Sequence, residues 1–284
     1  MSESKVTRRL AVALLAFLGV VLAACGGPAG RVVDDVAVTS LSGGPGSARS
    51  VDCSAAGRAE HVTFEESSQG VQGDYRVYLP PCYDEDPATT YPVVYLLHGA
   101  GEDDTYWQQV GVEDAADAAI ARGDIPPMIL VVPDGGPGFG SGRGGASFDS
   151  FLVDELVPRI DASYRTIASR DGRAVGGISL GGGRALAIAA QSPELFAAAG
   201  GHSPALADSS DIAAGLTDGG VNVWLDVGEG DSLRGGAIEL ADQMSALGGH
   251  VVLHVPEGGH DRSYWRSHLG EYVAFYAGVF ASQT

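Results

Sequence analysis

The amino-acid sequence predicts a doubly wound α/β fold, in which a mostly parallel sheet carries helices on both faces. Continuous apolar runs of strand length, such as 93–97 and 128–132, are typical of parallel strands that are buried on both sides. From about residue 60 onward these runs alternate with segments whose apolar residues recur at helical spacing, as in βαβ units with right-handed crossovers. The 42 glycines among 284 residues indicate many tight turns and argue against a helical bundle.

The predicted elements alternate along the chain without an internal repeat, so residues 59–284 are expected to form one domain. The first two strands alternate apolar and polar residues and are expected to be half-buried. Strands are predicted at 61–65, 75–79, 93–97, 128–132, 174–177, 196–200, 221–227 and 251–255. Helices are predicted at 112–121, 148–164, 183–191, 238–247 and 263–280.

The N-terminal segment reads as a targeting signal followed by a linker. Three basic residues precede the apolar run 10–24, which at fifteen residues is shorter than the roughly 20 needed to span a bilayer. The run ends in Leu22–Gly26, which resembles a bacterial lipobox, so residues 1–24 are interpreted as a lipoprotein signal peptide. Lipidated Cys25 would then anchor the exported protein to the bilayer at the outer face of the bacterial cell membrane. An ordinary secretory signal or a plain membrane anchor is the alternative.

Residues 25–58 are rich in Gly, Ala, Ser and Pro and have little apolar periodicity, which is typical of a flexible tether. If Cys25 carries lipid, two cysteines remain, and an oxidising compartment favours a disulfide between Cys53 and Cys82. Two unpaired buried thiols are the alternative. The formal charge of −19 argues against nucleic acid as a partner.

The candidate nucleophile is Ser179, at the centre of the Gly-x-Ser-x-Gly segment Gly177–Gly181. The segment follows a predicted strand and precedes a helix of small residues, as a nucleophile elbow requires. Glycines are needed there because the turn strains the serine backbone and brings neighbouring backbone very close. The elbow would present the hydroxyl at the carboxyl edge of the sheet.

A serine hydroxyl needs a base, and in folds with this elbow the acid and then the histidine follow the serine along the chain. His260 lies in the loop after the last predicted strand, from which it can reach over the strand ends, and is preferred to His202. For the acid, Asp231 is chosen from the turn after strand 221–227, with Glu229 as the runner-up and Asp226 interpreted as structural.

An oxyanion formed during the reaction would need preorganised donors. The predicted donors are the backbone N–H groups of Leu180, directly after the serine, and Ala100, in the loop after strand 93–97. His98 in the same loop is interpreted as a packing residue. Trp107, Phe139 and Trp265 are predicted to line a substrate pocket, although core packing is the expected role of at least one of them.

The chain resembles the esterase D-like, feruloyl esterase-like family of α/β-hydrolases in several sequence motifs and in the order in which they occur. The resemblance covers nearly all of residues 61–280 and is carried by Tyr78–Pro81, Tyr91–Gly99, Arg173–Leu186, Ser192–Phe196 and Gly258–Trp265. It implies an α/β-hydrolase fold and a carboxylic ester hydrolase that acts through an acyl-enzyme, on substrates such as acyl or feruloyl esters of carbohydrates. Feruloyl esterases of this kind carry their acid in a Gly-x-x-Asp-Ser turn, which Gly228–Ser232 matches and which supports Asp231.

Two alternatives remain open at this point: an acyltransferase with the same triad, and a non-catalytic surface binding protein built on a hydrolase scaffold. No metal ion or organic cofactor is predicted. The glycine pattern within 140–145 lies several residues beyond its strand, where a dinucleotide site would not form. The only lysine is Lys5, so no Walker-type phosphate loop is present in the predicted domain.

Overall fold

A single sheet of strands runs through the part of the chain that the computed structural model describes, which is residues 56–63, 68, 73–136, 139, 145–206 and 208–282. The strand order is β1-β2-β4-β3-β5-β6-β7-β8. Strands β3 to β8 are parallel, whereas β2 is antiparallel to both β1 and β4. The strands are β1 (Arg58–Val62), β2 (Tyr75–Leu79), β3 (Val93–Leu97), β4 (Ile129–Pro133), β5 (Arg173–Ile178), β6 (Ala198–His202), β7 (Asn222–Asp226) and β8 (Val251–His254).

Helices cover both faces of the sheet, which confirms the predicted mostly parallel, doubly wound architecture. The helices are α1 (Tyr106–Val110), α2 (Val112–Arg122), α3 (Gly145–Ser150), α4 (Val157–Ser163), α5 (Leu180–Gln191), α6 (Ser210–Asp218), α7 (Arg234–Leu247) and α8 (Arg262–Ala281). The predicted helix 148–164 is interrupted by a π-helical segment, Phe151–Leu156, just before Pro158, which cannot donate a helical hydrogen bond. Among the described residues, no helix has both the length and the apolar character that a membrane span requires.

The central strand β3 shows why its sequence is apolar throughout. Val93, Tyr95 and Leu97 belong to a core shared with α5, α6 and α7, whereas Val94 and Leu96 belong to a second core shared with α1, α2 and α8. Alternate side chains of a strand point to opposite faces, so a strand between two helical layers must be apolar at every position.

Strand β6 occupies Ala198–His202, two residues later than the predicted 196–200. Its residues are small, so hydrophobicity marks its end poorly, and backbone pairing extends it until His202 lies opposite Asp226 of β7. A Cβ atom at Gly200 would lie 2.1 Å from the hydroxyl of Tyr276 on α8, so any larger residue there would have to displace that side chain. This shift moves His202 from a predicted loop into the sheet.

Candidate active site

The backbone of Ser179 is strained where β5 passes into α5. Its φ of 57° and ψ of −117° lie in a region that non-glycine residues rarely adopt. The flanking glycines make this turn possible: a Cβ atom on Gly177 would lie 2.4 Å from the backbone of Gly181, and one on Gly181 would lie 2.3 Å from the carbonyl oxygen of His98. The Gly-x-Ser-x-Gly spacing therefore has a steric cause, and the structure has the predicted strand–turn–helix context.

A continuous chain of hydrogen bonds joins Ser179, His260 and Asp231. The Nε2 atom of His260 lies 3.0 Å from the Ser179 Oγ atom, and its Nδ1 atom lies 2.8 Å from the Asp231 Oδ2 atom. Because a carboxylate only accepts, the Nδ1–H group donates to Asp231, which leaves Nε2 free to accept from the serine hydroxyl. The imidazole side chain is 33% exposed, whereas the Asp231 side chain is fully buried.

Backbone hydrogen bonds bring the acid loop and the histidine loop together. The Glu229 N–H donates to the Pro256 carbonyl over 2.8 Å, and the Gly230 N–H donates to the Gly258 carbonyl over 2.9 Å. The second carboxylate oxygen of Asp231 accepts from the Leu233 N–H at the start of α7. Asp231 therefore contacts the imidazole, whereas Glu229, the predicted runner-up, is exposed on the same turn.

Both predicted oxyanion donors lie near Ser179. Leu180 follows it in the chain, and Ala100 follows a glycine that packs against it. Leu180 is the first residue of α5, so its N–H group has no acceptor within the helix. Gly99 packs on the serine, since a Cβ atom on Gly99 would lie 3.7 Å from the Ser179 Cβ atom, and Ala100 follows Gly99. His98 is buried, with its ring nitrogens 2.8 and 2.5 Å from the carbonyl oxygens of Gly99 and Asp134, as expected of a loop-packing residue.

The sequence prediction placed His202, the alternative base, in a loop after β6, and this placement is wrong. It lies within β6, is fully buried, and donates from Nδ1 to the Asp226 Oδ1 atom over 2.6 Å. Its Nε2 atom is 3.1 Å from the Tyr276 hydroxyl, and Tyr272 donates to the other oxygen of Asp226. Burial raises the pKa of Tyr272 and of Tyr276, and so does the negative charge of Asp226, so both phenols remain protonated donors. Asp226 is structural, as predicted.

The three aromatic side chains that were predicted to line a substrate pocket are all buried, which agrees with the expected core packing of at least one of them. Trp107 is inaccessible to solvent and donates from Nε1 to the Leu97 carbonyl. Phe139 packs in the core against Phe148. Trp265 packs against the imidazole of His260, with ring centroids 5.1 Å apart and ring planes at 84°.

Sequence reasoning missed two residues next to this site. Ser203 follows β6 and accepts a hydrogen bond from the Trp265 indole, and no sequence pattern marks it. Asp261 follows His260 and caps α8 by accepting from the N–H groups of Ser263 and Tyr264. An aspartate directly before a helical run is a standard N-cap signal and could have identified this capping role.

The predicted anchor and disulfide fall partly or wholly on residues that the structure does not describe. Cys25 and Cys53 lie outside the described residues, as do the signal peptide and nearly all of the tether. Cys82 is disulfide-bonded. Within the described ranges, no group of three or more His, Cys, Asp or Glu side chains is arranged to hold a metal ion.

The strand order, the elbow after β5 and the serine, acid, histidine order along the chain define the α/β-hydrolase class of proteins. Within that class, the model of the family described as "Putative esterase" matches residues 68–276, and the chain belongs to that family.

Two curated relatives are identical to this chain at about a third of the aligned positions. An endo-1,4-beta-xylanase/feruloyl esterase of Xylanibacter ruminicola is 33% identical over 221 residues, which is 74% of this chain and 30% of the relative. An esterase of Mycobacterium tuberculosis is 36% identical over 154 residues, which is 51% of this chain and 32% of the relative. The chain thus spans only about a third of the length of these relatives.

Solved structures of similar fold include a ferulic acid esterase. It has a TM-score of 0.71 and 27% identity, with 79% of this chain and 99% of that chain covered. An S-formylglutathione hydrolase of Staphylococcus aureus has a TM-score of 0.65 at 15% identity, with 78% and 98% covered, and shows the fold alone.

Proposed function

We propose that this protein is a serine carboxylic ester hydrolase that works through an acyl-enzyme. The observation that carries the proposal is the hydrogen-bonded chain from the Ser179 hydroxyl through the His260 imidazole to the buried Asp231 carboxylate. Its membership of the esterase family supports the same reaction class.

In the proposed mechanism, the Ser179 Oγ atom attacks the ester carbonyl carbon while the His260 Nε2 atom takes the hydroxyl proton. The carbonyl oxygen becomes a tetrahedral oxyanion, which the N–H groups of Leu180 and Ala100 stabilise. The intermediate collapses as the C–O bond to the alcohol breaks, and the imidazolium returns the proton to the departing alcohol. Water, deprotonated by His260, then attacks the acyl-serine and releases the acid and the free enzyme.

Asp231 has two roles in this proposal. Its hydrogen bond from Nδ1–H keeps the proton on that nitrogen, so that Nε2 is available as the base. Its negative charge also stabilises the imidazolium that forms once the proton is transferred. Because the Asp231 side chain is excluded from water, this charge is screened less than a surface carboxylate would be.

The decisive experiment is labelling with a fluorophosphonate probe, which reacts with activated serines. We expect covalent labelling of Ser179 in the native protein and none in Ser179→Ala, with the modified peptide identified by mass spectrometry. If the native protein is not labelled, the triad is inactive and the alternative of a non-catalytic binding protein is favoured.

For the substrate, we propose acyl or feruloyl esters of carbohydrates, because a relative and a structural neighbour above 25% identity are named as feruloyl or ferulic acid esterases. The test is a panel of acetyl, butyryl, long-chain and feruloyl esters, assayed on protein without residues 1–25. Feruloyl esters are expected to have the highest kcat/KM. A clear preference for the long-chain esters would contradict this assignment.

Hydrolysis and acyl transfer share every step up to the acyl-enzyme, so the two reactions can be distinguished only by their products. We expect free acid as the main product even when a sugar alcohol is added in excess. Accumulation of the sugar ester at the expense of the acid would instead identify an acyltransferase.

We also propose that the enzyme is exported and anchored through lipid on Cys25. The basic segment, the short apolar run and the lipobox-like Leu22–Gly26 support this proposal. Cells fed a labelled fatty acid should incorporate it into the native protein but not into Cys25→Ser, which should be released from the membrane fraction. Equal incorporation into both proteins, or none into either, would overturn the proposal.

A further inference from the structure

Trp265 connects the proposed catalytic imidazole to the end of β6. Its ring packs against His260 at 84° between ring planes, and its Nε1–H group donates to the Ser203 Oγ atom over 3.2 Å. Both side chains are buried, so water does not compete for this hydrogen bond. Trp265 lies in the first turn of α8, five residues after His260.

Ser203 is itself held firmly by two strands. It follows His202 at the end of β6, is fully buried, and donates its N–H to the Asp226 carbonyl of β7 over 2.7 Å. Its φ of 50° is a backbone conformation that serine rarely adopts and that persists only where the surroundings impose it. The position of its hydroxyl is therefore set by the sheet rather than by a free loop.

Packing matters for the orientation of the His260 ring because this residue lies in a loop and its side chain is 33% exposed. The contacts of Nδ1 with Asp231 and of Nε2 with Ser179 are made together only at particular rotations about the Cα–Cβ and Cβ–Cγ bonds. The Trp265 ring, packed nearly perpendicular to the imidazole, restricts those rotations.

We propose that Ser203 and Trp265 are positioning residues for the catalytic imidazole: the Ser203 hydroxyl holds the Trp265 indole, which holds the His260 ring in the plane that joins Asp231 to Ser179. The inference rests on the proposed function of His260 as the base. It adds two residues that act on the reaction without touching the reacting atoms.

The experiment compares Ser203→Ala, Trp265→Phe and the double variant with the native enzyme on a small aryl ester. Each single variant removes the hydrogen bond, and Trp265→Phe keeps an aromatic ring. Because small displacements of an oriented base slow proton transfer, kcat is expected to fall about tenfold in each, with KM changed by less than about twofold. The double variant is expected to lose no more than the worse single variant, since both act through one contact.

Tyr78→Phe is the matched control for a purely structural effect. It also removes one hydrogen bond of a buried side chain and keeps the ring, but the acceptor Asp117 is only partly buried and lies 62 residues before Ser179 in the chain. Its melting temperature is expected to fall as in the test variants while kcat and the rate of fluorophosphonate labelling stay native. Equal losses of kcat in control and test variants would assign Ser203 and Trp265 to folding alone.

Further outcomes separate this inference from the proposed function. If Ser179→Ala is inactive but both single variants keep native kcat, the positioning role is wrong and the triad stands. If the losses of the single variants multiply in the double variant, the two residues do not act as one unit, which also contradicts the inference. If Ser179→Ala keeps activity, the proposed function itself fails. Should Trp265→Phe not fold, Ser203→Ala, which removes a single hydroxyl, decides the question.

Discussion

The protein contains two histidine–aspartate pairs that lie close together in the fold and have nearly the same internal geometry. His260 and Asp231 are joined by an Nδ1–Oδ2 contact of 2.8 Å, and His202 and Asp226 by an Nδ1–Oδ1 contact of 2.6 Å. In both pairs the carboxylate accepts from Nδ1 and selects the same tautomer. The contact between histidine and aspartate therefore does not distinguish a base from a structural element.

The difference lies at the opposite ring nitrogen. The Nε2 atom of His260 faces the Ser179 hydroxyl, and its side chain is 33% exposed. The Nε2 atom of His202 faces the Tyr276 hydroxyl, and the pair is fully buried. Solvent can reach the first imidazole, whereas the second is enclosed by protein. The comparison teaches that access at Nε2, not the histidine–aspartate contact, decides which pair can perform chemistry.

The largest expected effect comes from removing the nucleophile beside the accessible pair. Ser179→Ala is expected to lower kcat/KM for a small aryl ester by roughly four to six orders of magnitude, because residual catalysis depends on oxyanion stabilisation and binding alone. Initial-rate assays measure this loss, and thermal unfolding should show a native-like melting temperature. Near-native activity would mean that the accessible pair, His260 and Asp231, does not act as the base for Ser179.

Replacing the acid of the accessible pair should have the next largest effect. Asp231→Asn is expected to lower kcat by about 10³–10⁴-fold, since the amide no longer enforces the tautomer or stabilises the imidazolium. Glu229→Gln, on the same turn, is the control and should change kcat by less than about threefold. The assignment of the acid would be reversed if Glu229→Gln were the more damaging substitution.

The same chemical change in the enclosed pair should act on stability instead. Asp226→Asn leaves one amide oxygen to accept from His202 and Tyr272, which both donate to the carboxylate in the native protein. Leaving a buried donor without its acceptor is expected to lower the free energy of unfolding by about 2–3 kcal/mol. Chemical denaturation measures this loss, and kcat per folded molecule should fall less than about tenfold. A loss of kcat as large as that in Asp231→Asn would contradict the assignment of one pair to catalysis and the other to stability.

The smallest expected effect concerns the helix that follows the accessible histidine. Hydrogen bonds from Ser263 and Tyr264 hold the pKa of Asp261 below its usual value. A carboxylate with a lowered folded-state pKa stabilises the fold at pH values above its unfolded-state pKa, about 3.9, and this contribution is lost as the pH falls below it. Asp261→Ala should therefore melt at a lower temperature than the native protein at pH 6, and the difference should shrink towards pH 3. A difference independent of pH would show that the charged cap is not its source.

Much of the site was predictable because local constraints leave few options. The Gly-x-Ser-x-Gly spacing follows from the close approach of Gly177 to the backbone of Gly181, four residues further along the chain. The continuous apolar strands follow from burial on two faces, and His260 was located by its position after the last strand. These features depend on a few adjacent residues, so the sequence carries them directly.

Other features depend on contacts that no short segment contains. The burial of Trp107, Phe139 and Trp265 could not be predicted because an aromatic residue suits a core and a pocket equally well, and only the packing of distant elements excludes solvent from it. Ser203 was missed because its partners, Asp226 and Trp265, lie 23 and 62 residues away in the chain.

The amino-acid sequence by itself determined the α/β architecture, the serine at the elbow and a short set of histidines and carboxylates that could serve it. Only the tertiary structure decided how those groups pair. The register of β6 on β7 sets His202 opposite Asp226, and backbone hydrogen bonds between two loops set His260 against Asp231. Pairing of this kind is decided by backbone register and by the exclusion of water, which are properties of the assembled sheet and not of any segment of the chain.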